Sequence, residues 1–142
     1  MGIASASRSD YDAILALHHE AGWVRSRVDG EVWAAWEERE FVGSLQFEKV
    51  TSDLLFVRAM VVREDSRGRG IGAQMFSDVM KTRDADWWLE CRDERVAFYS
   101  RLGFEVTDQD DIPVSVRALV RPRTDRRENF MHKRTPGEAL RS

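Results

Sequence analysis

Cysteine occurs once in this 142-residue chain, as Cys91. A lone thiol forms no internal disulfide, and without partners at metal-ligand spacing it supports neither a disulfide-stapled scaffold nor a zinc site. Basic excess is also missing: the net charge is −3 and the pI about 5.7. Nonspecific nucleic-acid binding needs a clustered basic surface, so that class of partner is not expected. No stretch approaches the roughly 20 consecutive apolar residues of a membrane span, and Met1-Gly2-Ile3-Ala4-Ser5 is not a charged start leading into an apolar run. A cytoplasmic protein without membrane partners, monomeric or homodimeric, is the expectation.

What is present suits one globular domain. Hydrophobic residues make up 42% of the chain, with five Trp and seven Phe to supply core volume. A chain of this length buries roughly two thirds of its unfolded surface, enough to fold alone. The domain is expected over residues 1–134, with residues 135–142 a loose tail.

Period and punctuation mark the elements. A short strand is expected at residues 2–6. Ser9 is placed to cap a helix carrying Ile14, Leu15, Leu17 and Ala21 and ending at Gly22. Residues 31–37 and 41–48 read as an antiparallel hairpin around Glu38-Arg39-Glu40. In its second strand Phe41, Gly43, Leu45 and Phe47 alternate with Val42, Ser44 and Gln46, as one buried face requires. Residues 54–62 are too uniformly apolar for a half-exposed strand and are placed centrally, with Arg58 the exception. A helix of about three turns follows Ile71, then a strand at residues 87–91. Asp93 starts a helix with Val96, Phe98, Tyr99 and Leu102, closed by Gly103. Strands are expected at Phe104-Glu105-Val106 and residues 130–133. Residues 114–120 read equally as a strand or as a short helix begun by Pro113.

Between the central strand and its following helix lies Arg67-Gly68-Arg69-Gly70-Ile71-Gly72. Strand, glycine-rich turn and helix together hold phosphate, because unpaired N–H groups at the helix start point outward and the helix dipole favours anions. Gly68-x-Gly70-x-x-Ala73 also satisfies a relaxed dinucleotide fingerprint, with Glu90 placed 20 residues beyond Gly70. Chain order speaks against that reading. Five residues separate Val62 from Gly68, a hairpin precedes the strand, and about 50 residues after Glu90 are too few for the rest of a doubly wound sheet. A Walker loop fails because neither Lys-Ser nor Lys-Thr follows the glycines.

Two motifs in order, Val61-Val62 with the glycine run and then Ala97-Phe98-Tyr99-Ser100-Arg101-Leu102-Gly103-Phe104, resemble the GNAT superfamily of acyl-CoA-dependent N-acyltransferases. The resemblance covers about residues 54–106. It implies a mixed α/β (α+β) fold: a central, mostly antiparallel sheet of six to seven strands, with helices on both faces and a V-shaped opening after Val62 between the fourth and fifth strands. It implies acetyl-CoA as cosubstrate, with no metal, and transfer to a primary amine of a small molecule or a protein or peptide. The diphosphate would rest on the amides of Gly68, Arg69, Gly70, Ile71, Gly72 and Ala73, with Arg67 opening the loop. Backbone groups of Met60, Val61 and Val62 would pair with the pantetheine arm.

Tyr99 matches the position of the general acid in similar enzymes. With Phe98 and Leu102 facing the core, its phenol would sit at the edge of the cofactor slot; a packing tyrosine is the plainer alternative. Leu89-Glu90-Cys91-Arg92 is similar to a string in peptide N-terminal acetyltransferases and makes Glu90 the candidate base, its pKa raised by Trp87 or Trp88. A paired structural carboxylate is the alternative there, with Glu48, His132 or a water chain in reserve. Relatives commonly carry an Asn between the fifth strand and the next helix; Arg92-Asp93-Glu94-Arg95 has none, and Arg92 is the candidate replacement. His18-His19 lacks a third metal ligand, and Asp108-Gln109-Asp110-Asp111 reads as a solvated acidic loop. Trp33 and Trp36, three apart in a strand, should face opposite ways. Cys91 is not needed as a nucleophile. A CoA-binding regulatory module of the same fold that has lost catalysis is the competing function.

Overall fold

The computed structural model describes residues 1–22, 28, 30–120 and 128–136. Seven strands form one sheet: β1 (Gly2–Ser5), β2 (Glu31–Glu37), β3 (Glu40–Lys49), β4 (Leu54–Val62), β5 (Ala85–Arg92), β6 (Glu105–Val106) and β7 (Glu128–Thr135), in the order β1-β2-β3-β4-β5-β7-β6. Every neighbouring pair is antiparallel except β4 and β5. Among the described residues four α-helices pack on it: α1 (Tyr11–Glu20), α2 (Ile71–Met80), α3 (Val96–Arg101) and α4 (Val114–Arg117).

The largest core lies under α2 and α3, where Met75, Phe76 and Val79 meet Leu45, Phe47, Trp87 and Leu89. Phe76 is its hub, edge-on to Trp87 at 5.9 Å and to Phe104 at 5.5 Å. The opposite face carries two smaller clusters. Ile14 of α1 covers Val32 and Ala34, and Ile112 and Val116 cover Leu54, Phe56 and Trp88.

Helices on both faces explain where the expected alternation fails: residues 42–47 of β3 are all buried, not one face of them. Trp33 and Trp36 do part company, the first packed on the large core and the second on the α1 cluster. The hairpin turn forms with Glu38 at φ 50° and Arg39 at φ 71°. A two-residue turn whose twist matches the strands demands that left-handed pair, here without glycine.

At the start of α1, Ser7 rather than Ser9 heads the chain: its N–H donates to Asp10 Oδ2 at 3.0 Å, and one 3-10 turn, Arg8–Asp10, precedes the helix. The ambiguous segment after Pro113 resolves to helix α4. β7 outruns the expected strand at both ends. Thr135, assigned to the tail, belongs to the sheet: it is buried, and its Oγ1 accepts the Trp87 indole N–H at 3.0 Å. Residues 137–142 lie outside the described residues.

β4 and β5 pair only through Leu54↔Asp86, Leu55↔Trp87 and Phe56↔Trp88. Beyond that point they part, well before Val62. Arg58 sits at this parting as an extra residue in β4, since Gln46 faces Ala59 and Phe47 faces Val57.

Candidate active site

β4 ends where Arg63 donates its N–H to Val42 O at 2.8 Å, and a single 3-10 turn, Glu64–Ser66, leads into the glycine run. Gly68 and Gly70 both stand at φ +78°, the left-handed region that a side chain resists. That bend lets Gly70 cap α2, its carbonyl accepting the first helical bond from Gln74 N at 3.0 Å. The N–H groups of Ile71, Gly72 and Ala73 precede that bond and have no partner within the helix. A Cβ at Gly68 or Gly70 would meet nothing within 4 Å, so the cup is open. Gly72 serves close approach: a Cβ there would stand 3.3 Å from both Met60 Sδ and Val62 Cγ2.

The cup opens into a cleft of about 650 Å³ between the parted edge of β4 and α3. Met60, Val61 and Val62 line it with Arg67, Gly68, Gly70, Ile71, Gly72 and Ala73; of the expected cofactor residues only Arg69 is absent. Arg69 turns outward to grip Glu37 with both guanidinium nitrogens, at 2.8 and 2.6 Å. Those hydrogen bonds hold the Glu37 carboxyl below its ordinary range. The Arg67 Nε–H donates to Val62 O at 3.0 Å, so that carbonyl is already engaged. Donors without acids suit a polyanion: among the described residues no carboxylate lines the cleft.

The far wall is α3, and here expectation and structure differ. Phe98 and Leu102 line the cleft, whereas Tyr99 is the buried residue of the helix, 9% exposed, between Phe76, Phe98 and Phe104. A six-residue helix rich in large apolar side chains does not reveal by periodicity which stripe meets the core. Burial pushes the Tyr99 phenol up to about 12. Arg95 and Arg101 flank Phe98 on the same wall, and the sequence reading missed both. The signal was available, since Arg95, Phe98 and Leu102 recur at i, i+3 and i+7, one face of a helix. Arg95, not Arg92, is the cation this connection turns to the cleft.

Glu90 is half-buried on the other side of the sheet. Along β5, Trp87, Leu89 and Cys91 face the α2 and α3 core while Trp88 faces α4, so alternation turns Glu90 away from Tyr99. The two faces communicate where β4 and β5 part, and Glu90 is two residues past the last pair. Cys91 is buried and its thiol is pushed up to about 11, chiefly by burial. The reserve bases are engaged elsewhere: Glu48 pairs with Arg58 at 2.9 Å, and His132 stacks on Trp88 at 4.8 Å. His18 is fully buried, its Nε2 3.1 Å from Ser44 Oγ, and burial lowers its pKa. Among the described residues no three side chains gather to hold a metal, and no helix is long and apolar enough to cross a membrane.

Comparison with known proteins fits this geometry. An acetyltransferase (GNAT) domain model matches residues 28–106. No curated protein matches the sequence. Solved structures do match in fold: a GNAT-family acetyltransferase from Staphylococcus aureus Mu50 at 18% identity and TM-score 0.70, covering 94% of this chain and 98% of that one. An aminoglycoside 6′-N-acetyltransferase complexed with coenzyme A superposes at 16% identity and TM-score 0.68, with 94% and 97% covered. The ribosomal-protein-S18-alanine N-acetyltransferase from Escherichia coli gives 16% identity and TM-score 0.68, over 98% and 97%. With the family pattern spanning more than half of the sequence, the chain belongs to the GNAT acetyltransferases.

Proposed function

We propose that the protein is an N-acetyltransferase that moves the acetyl group of acetyl-CoA directly onto a primary amine, with no acyl-enzyme. The observation that carries this is the open amide cup at the start of α2, continuous with a cleft along the parted edge of β4. Diphosphate suits the cup. The pantetheine arm fits against residues 60–62, where β5 no longer pairs with β4. Acetyl-CoA supplies an activated thioester. The protein holds its carbonyl at the parting of the strands and keeps the acceptor on the opposite face.

That separation of faces gives each side chain one task. Tyr99, on the cofactor side, stays a neutral phenol and gives its proton to the departing sulfur. Glu90, across the sheet, takes the proton the amine loses. As the nitrogen bonds to the acetyl carbon the C–S bond breaks, so one proton leaves on the acceptor side and one arrives on the thiol side. Cys91, buried and raised to about 11, takes no part. The acceptors named for the two similar structures, an aminoglycoside and a ribosomal-protein alanine, both present amines. A small molecule and a protein or peptide are therefore the classes to try.

The burial of Tyr99 favours one competing reading, a CoA-binding module without turnover. Purified protein with acetyl-CoA and a panel of small amines and peptides decides between them. Free thiol released in step with acetylated amine supports the enzyme. Binding of CoA without thiol release supports the module.

A further inference from the structure

The cleft wall opposite the glycine run carries two arginines without a counter-ion. Arg58, Arg63, Arg69, Arg83 and Arg134 each reach a carboxylate; of the described arginines that do not, Arg67, Arg95 and Arg101 line the cleft, and Arg67 is bonded to Val62 O. Arg95 and Arg101 make no hydrogen bond or ion pair with any described residue, and both line the cleft. Arg95, the residue that caps the start of α3, and Arg101, its last residue, lie on either side of Phe98, roughly 9 Å apart along the axis at about 1.5 Å per residue. Two unpaired guanidinium groups in a cleft without acids are a standing charge imbalance that an anion of matching geometry relieves.

The cup and this wall line one cleft, so a ligand with more than one anionic group can meet both. The amides at the start of α2 satisfy a diphosphate from one side of the cleft, with Arg67 beside them. Coenzyme A carries a third phosphate, on its ribose 3′ oxygen, which that cradle leaves unneutralised. We propose that Arg95 and Arg101 bind this 3′-phosphate and thereby make the protein selective for coenzyme A over its dephospho form. The inference rests on the acetyl-CoA reading and deepens it. The arginines act as a clamp: guanidinium forks pair with phosphate oxygens, and exposure makes the contact strongly dependent on salt.

Titration of the full chain with coenzyme A and with dephospho-coenzyme A tests the clamp, comparing the wild type with Arg95→Gln, Arg101→Gln and the double variant. Neither arginine has a partner to lose, so the variants should melt within a degree or two of wild type. The wild type should bind coenzyme A about tenfold more tightly than the dephospho form, a difference of about 1.4 kcal/mol. The double variant should lose that preference while its affinity for the dephospho form moves less than about twofold, and added salt should erode the wild-type preference. Equal wild-type affinity for both ligands overturns the proposal, as does an equal loss for both in the variants, which would place the arginines on the diphosphate. Those results leave the acetyl-CoA reading standing. Absence of affinity for either ligand overturns both.

Discussion

Tyr99 combines a packing role with a proposed chemical one, and its burial couples them. The phenol is raised from 10 to about 12, mainly by desolvation. A group whose folded pKa lies above its unfolded value adds stability that is complete below the unfolded pKa, near 10, and lost as pH climbs through 12. Tyr99→Phe removes this ionisation, so between pH 10 and 12 the variant should lose less melting temperature than the wild type, its remaining decline including that of Cys91, whose thiol is raised to about 11. On activity the same change should cost about a hundredfold in turnover with little effect on cofactor affinity, the usual range for losing a positioned acid. Unchanged thiol release would remove Tyr99 from the chemistry and leave it as core. Cys91 gives the complementary case: Cys91→Ala should cost stability of roughly 1 kcal/mol for its small buried volume and leave thiol release intact. A large loss of turnover at unchanged folding would contradict its assignment as a spectator. Which way each residue of α3 faces was not legible in the sequence. Tyr99 stood out by its place in a motif, but Val96, Phe98 and Leu102 around it are equally apolar, so the one mark of the cleft side was Arg95 sharing a face with Phe98 and Leu102.

The glycine run works as an element because it is held at both ends. On its outer side the Arg69 fork on Glu37 ties the turn to the β2–β3 hairpin, and Arg63 reaches Glu40 at 2.8 Å in the same way. Both carboxylates belong to the hairpin whose tight turn bends at Glu38 and Arg39. Glu37→Ala should therefore loosen the turn rather than unfold the domain. The expected result is an affinity for acetyl-CoA about three- to tenfold weaker, with little change in melting temperature because the pair is exposed. Affinity unchanged in low salt would show that the turn holds its shape without the tether. Such coupling between distant segments is illegible from spacing, since Glu37 and Arg69 are 32 residues apart, the one expected at the end of a strand and the other in the glycine run for its backbone amide. The strands themselves were legible where their environment was uniform. β2 and β4 lie where hydrophobic pattern placed them, while β3 misled because alternation announces a solvent face and both of its faces are covered. The end of β7 was missed for a similar reason: Thr135 reads as polar tail, yet its hydroxyl answers the buried Trp87 indole.

At the scale of the molecule the decisive feature is the parting of β4 from β5 after three paired residues. Composition and period announce a sheet but say nothing about where two neighbouring strands separate; only resemblance to a family supplied that expectation, and it placed the opening too far along. Physically, the parting leaves β4 with one satisfied edge, paired to β3, and one edge whose amides and carbonyls face a cleft. Backbone groups withheld from water and from a partner are costly, so such an edge invites a ligand that completes the ladder. This yields a prediction readable along the whole chain by amide hydrogen exchange. Coenzyme A should slow exchange in residues 60–62 and 68–73, the unpaired edge and the amide cup, and leave the β5–β7 ladder as it was, because that ladder is already paired along its full length. Protection of the cup alone would mean that the diphosphate docks without the arm lying along β4, and the acetyl group would then have no fixed path to the parting. Protection spread evenly over the sheet would indicate general stabilisation by binding rather than completion of one edge. Slowing confined to the two segments would run the pantetheine arm along β4 towards the parting, the path that brings the thioester to the opening between the strands.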